Sequence, residues 1–178
     1  LLGRLILQGI QDKEDLQNQD AYNEINVELE SIYQSSLVNK THWSSYFLNL
    51  QKIIDTIWEA GSIVGCSRGS GGGFLILYVL GIIQINCLRE TTKTFHWRFL
   101  NPARVSVLDV DIDVSGLRRK QILDKFREVY GEDRVCNVLT LGTESTKSAI
   151  LSAARGLGID NDVAQYIASL VPSDRGLI

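Results

Sequence analysis

The sequence predicts a mixed α/β fold, and three stretches carry that prediction. Residues 46–59 and 116–130 place apolar side chains at helical spacing, which indicates two amphipathic helices. Residues 104–116, RVSVLDVDIDVSG, alternate branched apolar residues with polar ones, as a strand does. The chain has 178 residues, of which 44% are hydrophobic and 22% charged, so it has the composition of a globular protein of one domain or slightly more.

Before a glycine-rich turn, the chain is predicted to contain one weakly helical segment and one clear amphipathic helix. Residues 11–31 are polar with a weak helical period, whereas 46–59 carry a clear apolar stripe. The short apolar stretch 62–66 is a candidate strand, and SRGSGGG at 67–73 is a turn. The run FLILYVLGII at 74–83 is too short to span a membrane and indicates a buried helix or strand.

The second half is predicted to continue the strand–helix alternation. After the strand at 104–116, the helix at 116–130 turns Ile122 and Phe126 inward and stops at Gly131. Residues 134–143 are rich in apolar and β-branched side chains and predict another strand. Two further helices are predicted at 145–159 and 162–171, the second N-capped by Asn161 or Asp160.

Bulk composition argues against several classes of protein. The net charge of −3 gives no general attraction to nucleic acid, although local basic clusters matter more. The start, LLGRLILQGI, lacks the features of a signal peptide and an initiator Met, so we expect a piece of a longer protein. Cys66, Cys87 and Cys136 show no metal-ligand spacing, which favours reduced thiols in a cytoplasm.

Three aspartates, Asp109, Asp111 and Asp113, would share one face of the strand at 104–116. Like charges so close disfavour ionisation unless something neutralises them, and Asp is depleted in sheets. A calcium loop would need Gly and Glu where Val114 and Lys120 stand. Two interpretations remain open from the strand alone: an acidic solvent face, or a divalent-metal site for phosphoryl or nucleotidyl transfer.

The glycine-rich turn has the composition of a phosphate-binding loop. Glycines allow close approach of the backbone, Arg68 offers a planar cationic fork, and Ser70 offers a hydroxyl. The turn matches neither the Walker pattern nor G-x-G-x-x-G, and a flexible connection is the alternative. A Gly-Ser turn followed about 40 residues later by an alternating Asp strand is typical of the nucleotidyltransferase superfamily represented by polymerase beta.

Taken together, the motifs resemble one family, the alpha subunit of bacterial DNA polymerase III, the C-family replicative polymerase. The resemblance extends over about residues 45–172. It lies in the segments VGCSRGSGGGFLILYVLGI (64–82), RFLNPARVSVLDVDID (98–113), RRK (118–120), YGEDRV (130–135) and TLGTESTKSAI (140–150).

This resemblance implies a fold and a division into domains. The fold would be a polymerase-beta-like nucleotidyltransferase palm, with a central mixed sheet flanked by helices and the start of a helical thumb. Residues 1–142 would form the palm and residues 143–178 the truncated thumb. The family's third catalytic carboxylate would follow the thumb, beyond Ile178. We therefore expect the fragment alone to be inactive.

The resemblance also implies roles for single residues. Asp111 and Asp113 match the family's metal-binding aspartates and would hold Mg²⁺, whereas Asp109 matches a position without that role. The segment Arg68, Gly69 and Ser70 matches the turn that binds the incoming nucleotide's phosphates. Weaker candidates for contact with DNA or phosphate are Arg118, Arg119 and Lys147, for which ordinary surface charges are the alternative.

The expected function is DNA-templated transfer of a deoxynucleotide from a dNTP to a primer 3′-hydroxyl during DNA replication. Expected partners are primer–template DNA, dNTP and, through other parts of a longer protein, a sliding clamp and further replisome subunits, with no membrane and a cytoplasmic location. Two alternatives stay open. One is a different nucleotidyltransferase of the polymerase-beta superfamily, and the other is a degenerate, non-catalytic polymerase-like module.

Overall fold

Helices provide the regular structure of this chain, as seen in a computed structural model that describes residues 1–89, 94–103 and 108–172. Short 3₁₀ turns connect several of them, including Gly69–Gly73, His96–Arg98 and Gly116–Arg118. The α-helices in these ranges are α1 (Leu2–Gln11), α2 (Gln19–Asn39), α3 (Trp43–Glu59), α4 (Leu75–Val79), α5 (Arg119–Tyr130), α6 (Thr146–Gly156) and α7 (Asn161–Leu170).

The chain divides into two compact units, Leu1–Val135 and Cys136–Ile178. The second unit contains α6 and α7, which bury the small side chains of Ala154, Ala164 and Ala168. The predicted N-cap of the last helix is confirmed, since the Asp160 carboxylate accepts hydrogen bonds from the amides of Asp162 and Val163. No helix in the described ranges is long and apolar enough to cross a membrane.

The predicted central mixed sheet is wrong for the part of the chain that the structure describes. Among the described residues, the candidate strand at 62–66 contributes one isolated antiparallel bridge, from Val64 to Val114. The candidate strand at 134–143 pairs with nothing in the described ranges and leaves Val138 and Leu141 exposed. Of the strand at 104–116, residues 104–107 lie outside the described residues. Alternation favours an extended backbone, but a sheet also needs a neighbouring ladder of hydrogen bonds.

The core of the first unit is built around α4. The run from Phe74 to Leu77 is 0% exposed. Helices α1 and α2 both pack on α4. Phe74 stacks on Phe47 of α3, with ring centroids 5.6 Å apart. The ring centroids of Phe74 and Phe99 are 5.1 Å apart. The buried stretch therefore anchors the chain immediately after the glycine-rich turn.

Most predicted helices are present with shifted ends. The helices predicted at 46–59, 116–130, 145–159 and 162–171 are confirmed as α3, α5, α6 and α7. The weak periodicity at 11–31 lies mostly in α2, which begins where the Asn18 side chain accepts from the Ala21 amide. Helix α1 was not predicted, although Leu2, Ile6 and Ile10 recur at four-residue spacing and are buried.

Helix α1 packs so closely on α4 that Gly9 has no room for a side chain. A Cβ at Gly9 would contact the carbonyl oxygen of Val79 and lie 2.9 Å from its Cγ1 atom. We expect Gly9→Ala to lower the free energy of unfolding by about 1–3 kcal/mol, because the helices must separate. The measurement is urea unfolding followed by far-UV circular dichroism.

Gly3→Ala is the matched control in the same helix, since a Cβ there would meet nothing within 4 Å. It should raise the free energy of unfolding by about 0.5–1 kcal/mol, because Ala is the better helix former. Equal stability of the two variants would contradict the close packing of α1 on α4.

Candidate functional site

The acidic segment is extended and presents its carboxylates to solvent. Leu108 is buried, and Val110 and Ile112 are partly buried against the core, whereas Asp109, Asp111 and Asp113 are exposed. Val114, which continues the apolar side of the alternation, is 36% exposed. The alternation is therefore confirmed from Leu108 to Asp113, although the segment rests on the core without belonging to a sheet.

The backbone before the glycine-rich turn is hydrogen-bonded to the acidic segment. The Gly65 amide donates to the Asp113 carbonyl oxygen at 2.8 Å, next to the bridge between Val64 and Val114. A Cβ at Gly65 would lie 2.9 Å from Asp113 Cβ, which is closer than two such atoms pack. Glycine at position 65 is thus what allows the two backbones to approach.

Arg68 lies between two of the aspartates. Its Nη1 donates to Asp113 Oδ1 at 3.0 Å, and its Nε lies 3.9 Å from Asp111 Oδ2. The three side chains are 62%, 50% and 60% exposed for Arg68, Asp111 and Asp113, so water screens these ion pairs. Such pairs contribute only about 0–1 kcal/mol, and the guanidinium can exchange the carboxylates for another anion.

The turn continues past the aspartates with a left-handed backbone conformation at Gly69, which favours glycine. Gly69 has a φ of +68°, and a Cβ there would lie 3.2 Å from Asp111 Oδ2. Ser70 follows with an exposed side chain, and Gly69–Gly73 form a 3₁₀ turn that leads into α4. The residues predicted to bind phosphate therefore lie beside the residues predicted to bind metal.

A cavity of about 280 Å³ opens on the turn. Its volume is near the lower end of the range for small-molecule sites. Arg98 is a second arginine that lines the cavity, and sequence reasoning missed it although it begins the motif RFLNP. Only the folded chain brings Arg98 to the turn. The lining residues are Ser67, Arg68, Gly69, Ser70, Gly72, Gly73, Ile85, Thr94, Phe95 and Arg98.

The weaker candidate cations are less closely connected to this arrangement. Arg118 ends the 3₁₀ turn before α5 and Arg119 begins α5, and both side chains are exposed. None of the ion pairs found between described residues joins them to Asp111 or Asp113. Lys147 is exposed on α6, in the second unit.

The carboxylates have the donor chemistry that Mg²⁺ prefers, namely hard, exposed oxygen atoms. Asp111 and Asp113 converge on a single cationic group, Arg68, which shows that their local geometry accommodates positive charge. Within the described ranges, no group of three or more His, Cys, Asp or Glu side chains could enclose a metal ion. Two carboxylates fit Mg²⁺ as partial ligands, with the other positions taken by water or phosphate.

The family model and the similar proteins that match this chain all concern bacterial or phage DNA polymerases. A family model described as the bacterial DNA polymerase III alpha NTPase domain matches residues 1–178. The chain is 41% identical over 158 residues to a probable DNA polymerase, YorL, of Bacillus subtilis strain 168, covering 86% of this chain and 12% of that protein. The identity and coverage are the same for a DNA-directed DNA polymerase of Bacillus phage SPbeta.

The DNA polymerase III alpha subunit of Thermus aquaticus is 37% identical over 146 residues, covering 82% of this chain and 12% of that subunit. The chain thus spans about an eighth of the length of these relatives. The family model covers all of the chain, including the glycine-rich turn and the acidic segment. The chain therefore belongs to the bacterial DNA polymerase III alpha NTPase domain family.

Proposed function

We propose that this chain is part of the catalytic region of a DNA-templated DNA polymerase. The observation that supports the proposal best is the convergence of Arg68 on Asp111 and Asp113. It joins a phosphate-type turn to a pair of carboxylates, and nucleotidyl transfer needs both. The relatives named as DNA polymerases support the same reaction.

In this proposal the residues of the turn bind and orient the triphosphate of a dNTP. Arg68 exchanges its carboxylate partners for phosphate oxygens, and the amides and hydroxyl at Gly69 and Ser70 donate hydrogen bonds to them. Arg98, which also lines the cavity, supplies a second cationic fork. Asp111 and Asp113 would hold Mg²⁺, which would supply positive charge that stabilises the reacting phosphate.

The reaction assigned to this site is a displacement at phosphorus. The primer 3′-oxygen forms a bond to the α-phosphorus of the dNTP while the bond to the bridging oxygen breaks. Pyrophosphate leaves, and the hydroxyl proton passes to water. A third carboxylate would come from another part of a longer polymerase, so we propose that this chain alone does not extend a primer.

We also propose that the two domains expected from the sequence have different roles. Residues 1–142 would form the palm, which contributes to nucleotidyl transfer, and residues 143–178 would begin a thumb that binds DNA. Arg118, Arg119 and Lys147 would contact the DNA backbone, since exposed cations at helix starts suit phosphate. Primer–template DNA and dNTP would be the direct partners. A sliding clamp and other replisome subunits would bind elsewhere on a longer cytoplasmic polymerase.

The proposal is tested by primer extension with the full-length polymerase that contains this sequence, Mg²⁺ and the four dNTPs. We expect products whose sequence follows the template and whose formation stops when EDTA removes the metal. Addition of nucleotides without regard to the template would favour a different nucleotidyltransferase. Absence of any addition by the folded, full-length protein would favour a non-catalytic module.

A further inference from the structure

Glu28 is a charged residue in an unusual position, fully inside the first unit. Its relative exposure is 0%, although it belongs to the otherwise polar helix α2. Burying a carboxyl group is costly unless hydrogen bonds replace its water. Both oxygens of Glu28 have such partners: Oε1 accepts from the Leu75 amide at 2.6 Å, and Oε2 accepts from the Ile76 amide at 2.7 Å.

These two amides belong to the residues that follow the glycine-rich turn. The Phe74 amide donates back to the Gly71 carbonyl oxygen at 3.0 Å, which ties the start of α4 to the turn. Gly71 and Gly73 are buried, and a Cβ at Gly73 would lie 2.6 Å from Thr94 Oγ1. The turn therefore has little freedom to move independently of the residues that Glu28 holds.

The electrostatic environment of Glu28 is acidic. Burial raises the pKa of Glu28 to about 8, against the opposing effect of the two amide hydrogen bonds, and nearby Glu24 raises it further. Glu24 in turn lies 2.9 Å from His96 Nδ1. Burial of Cys87, together with the nearby charges of Glu28 and Glu24, raises the pKa of its thiol to about 12. No ion pair involving Glu28 occurs among the described residues.

We propose that Glu28 is a positioning residue for the nucleotide site. By holding both amides, it fixes the point at which the glycine-rich turn enters α4. It thereby sets the place of the Arg68–Ser70 segment against Asp111 and Asp113. This role rests on the proposed function, since it concerns how well the turn binds the phosphates of a dNTP. Glu28 itself does not touch the nucleotide.

The ionised carboxylate suits this role because it presents two acceptor oxygens to two donors. A glutamine at position 28 offers one acceptor and one NH₂ donor, so one amide would lose its partner. Protonation weakens one oxygen as an acceptor in the same way. Positioning by Glu28 should therefore improve as pH rises through about 8, the pKa that burial gives the group.

The test is steady-state primer extension by the full-length polymerase carrying Glu28→Gln. At pH 9, where the wild-type Glu28 is ionised, we expect the KM for dNTP to rise by about tenfold with kcat changed less than about twofold, the loss expected for one hydrogen bond to a charged group. At pH 7, where Glu28 is mostly protonated, the two proteins should differ less. Glu30→Gln is the matched control, because Glu30 is exposed on the same helix and accepts a hydrogen bond from Gln34, one turn further along. It should leave both constants unchanged.

The pH profile gives a second readout that a purely structural role would not change. The KM of the wild type for dNTP should fall between about pH 7 and pH 9. The KM of Glu28→Gln should not show this fall. Because ionisation of the dNTP affects both proteins equally, the difference between the two pH profiles is due to Glu28. If Glu28→Gln folds poorly, the pH profiles of the wild type and Glu30→Gln still test the proposal. If the KM of these two proteins does not fall between about pH 7 and pH 9, the proposal is overturned.

Failure of this proposal and failure of the proposed function give different results. An unchanged KM at pH 9 in folded Glu28→Gln, alongside template-directed extension by the wild type, would overturn the role of Glu28 alone. Absence of extension by the folded wild type would overturn the proposed function on which that role rests. A raised KM in Glu28→Gln with a normal Glu30→Gln variant would support both.

Discussion

Asp111→Asn in the full-length polymerase is expected to reduce primer extension on the order of 10³-fold or more. Asn keeps the shape of the side chain but removes the charge that would hold Mg²⁺, and metal-ion stabilisation contributes several kcal/mol to such reactions. The fold should survive, because the Asp111 side chain is 50% exposed and its contact with Arg68 is a screened one at 3.9 Å. The rate of dNTP incorporation on a primed template measures the effect.

Asp109→Asn is the matched control for this experiment. Asp109 is exposed on the same acidic segment, two residues earlier, and the ion pairs of Arg68 involve Asp111 and Asp113. The Asp109 variant should therefore extend primers at nearly the wild-type rate. Full activity of Asp111→Asn, or equal losses in the two variants, would show that the metal site has been assigned to the wrong carboxylate.

Arg68→Ala is expected to raise the KM for dNTP by about 10- to 100-fold. The change removes the guanidinium from the cavity, and a hydrogen bond to a charged group contributes about 1.5–3 kcal/mol. Arg68→Lys should lie between Ala and the wild type, because an ammonium keeps the charge but not the planar fork. Steady-state kinetics at saturating primer–template would measure both variants.

Arg127→Ala serves as the control for loss of an arginine. Arg127 forms ion pairs with Asp124 and Glu132 around α5, at the surface of the same unit. Its removal should leave the KM for dNTP within about twofold of the wild-type value. If Arg68→Ala behaved like this control, the glycine-rich turn would be a connection without a role in binding.

Helix α3 could be predicted from the sequence because it buries a stripe that repeats with the helical period. Phe47, Leu50 and Ile54 of α3 are examples, and all are buried. The strands at 62–66 and 134–143 could not be excluded in this way. An alternating segment becomes a strand only where another segment offers hydrogen-bond partners, and residue spacing contains no information on that partner.

The candidate site was accessible to sequence reasoning only in part. The residue types of Arg68, Asp111 and Asp113 indicated anion and cation binding, but their convergence depends on the backbone contact between Gly65 and Asp113. Glu28 was overlooked, although it occupies the same face as Ile25, Leu29 and Ile32, where apolar residues are expected. An acidic residue inside an apolar stripe is a signal that its carboxyl has a buried partner.

The cysteines differ in exposure, which allows selective labelling of the chain. Alkylating reagents attack thiolates, and the buried Cys87, with its pKa of about 12, remains protonated at neutral pH. Cys66 and Cys136 are exposed. Within this chain, a Cys136→Ser background leaves Cys66 as the single accessible sulfur, one residue before Ser67. A fluorophore attached there would lie next in sequence to Ser67, which lines the cavity with Arg68 and Arg98, so its emission offers a direct signal of ligand binding in that cavity.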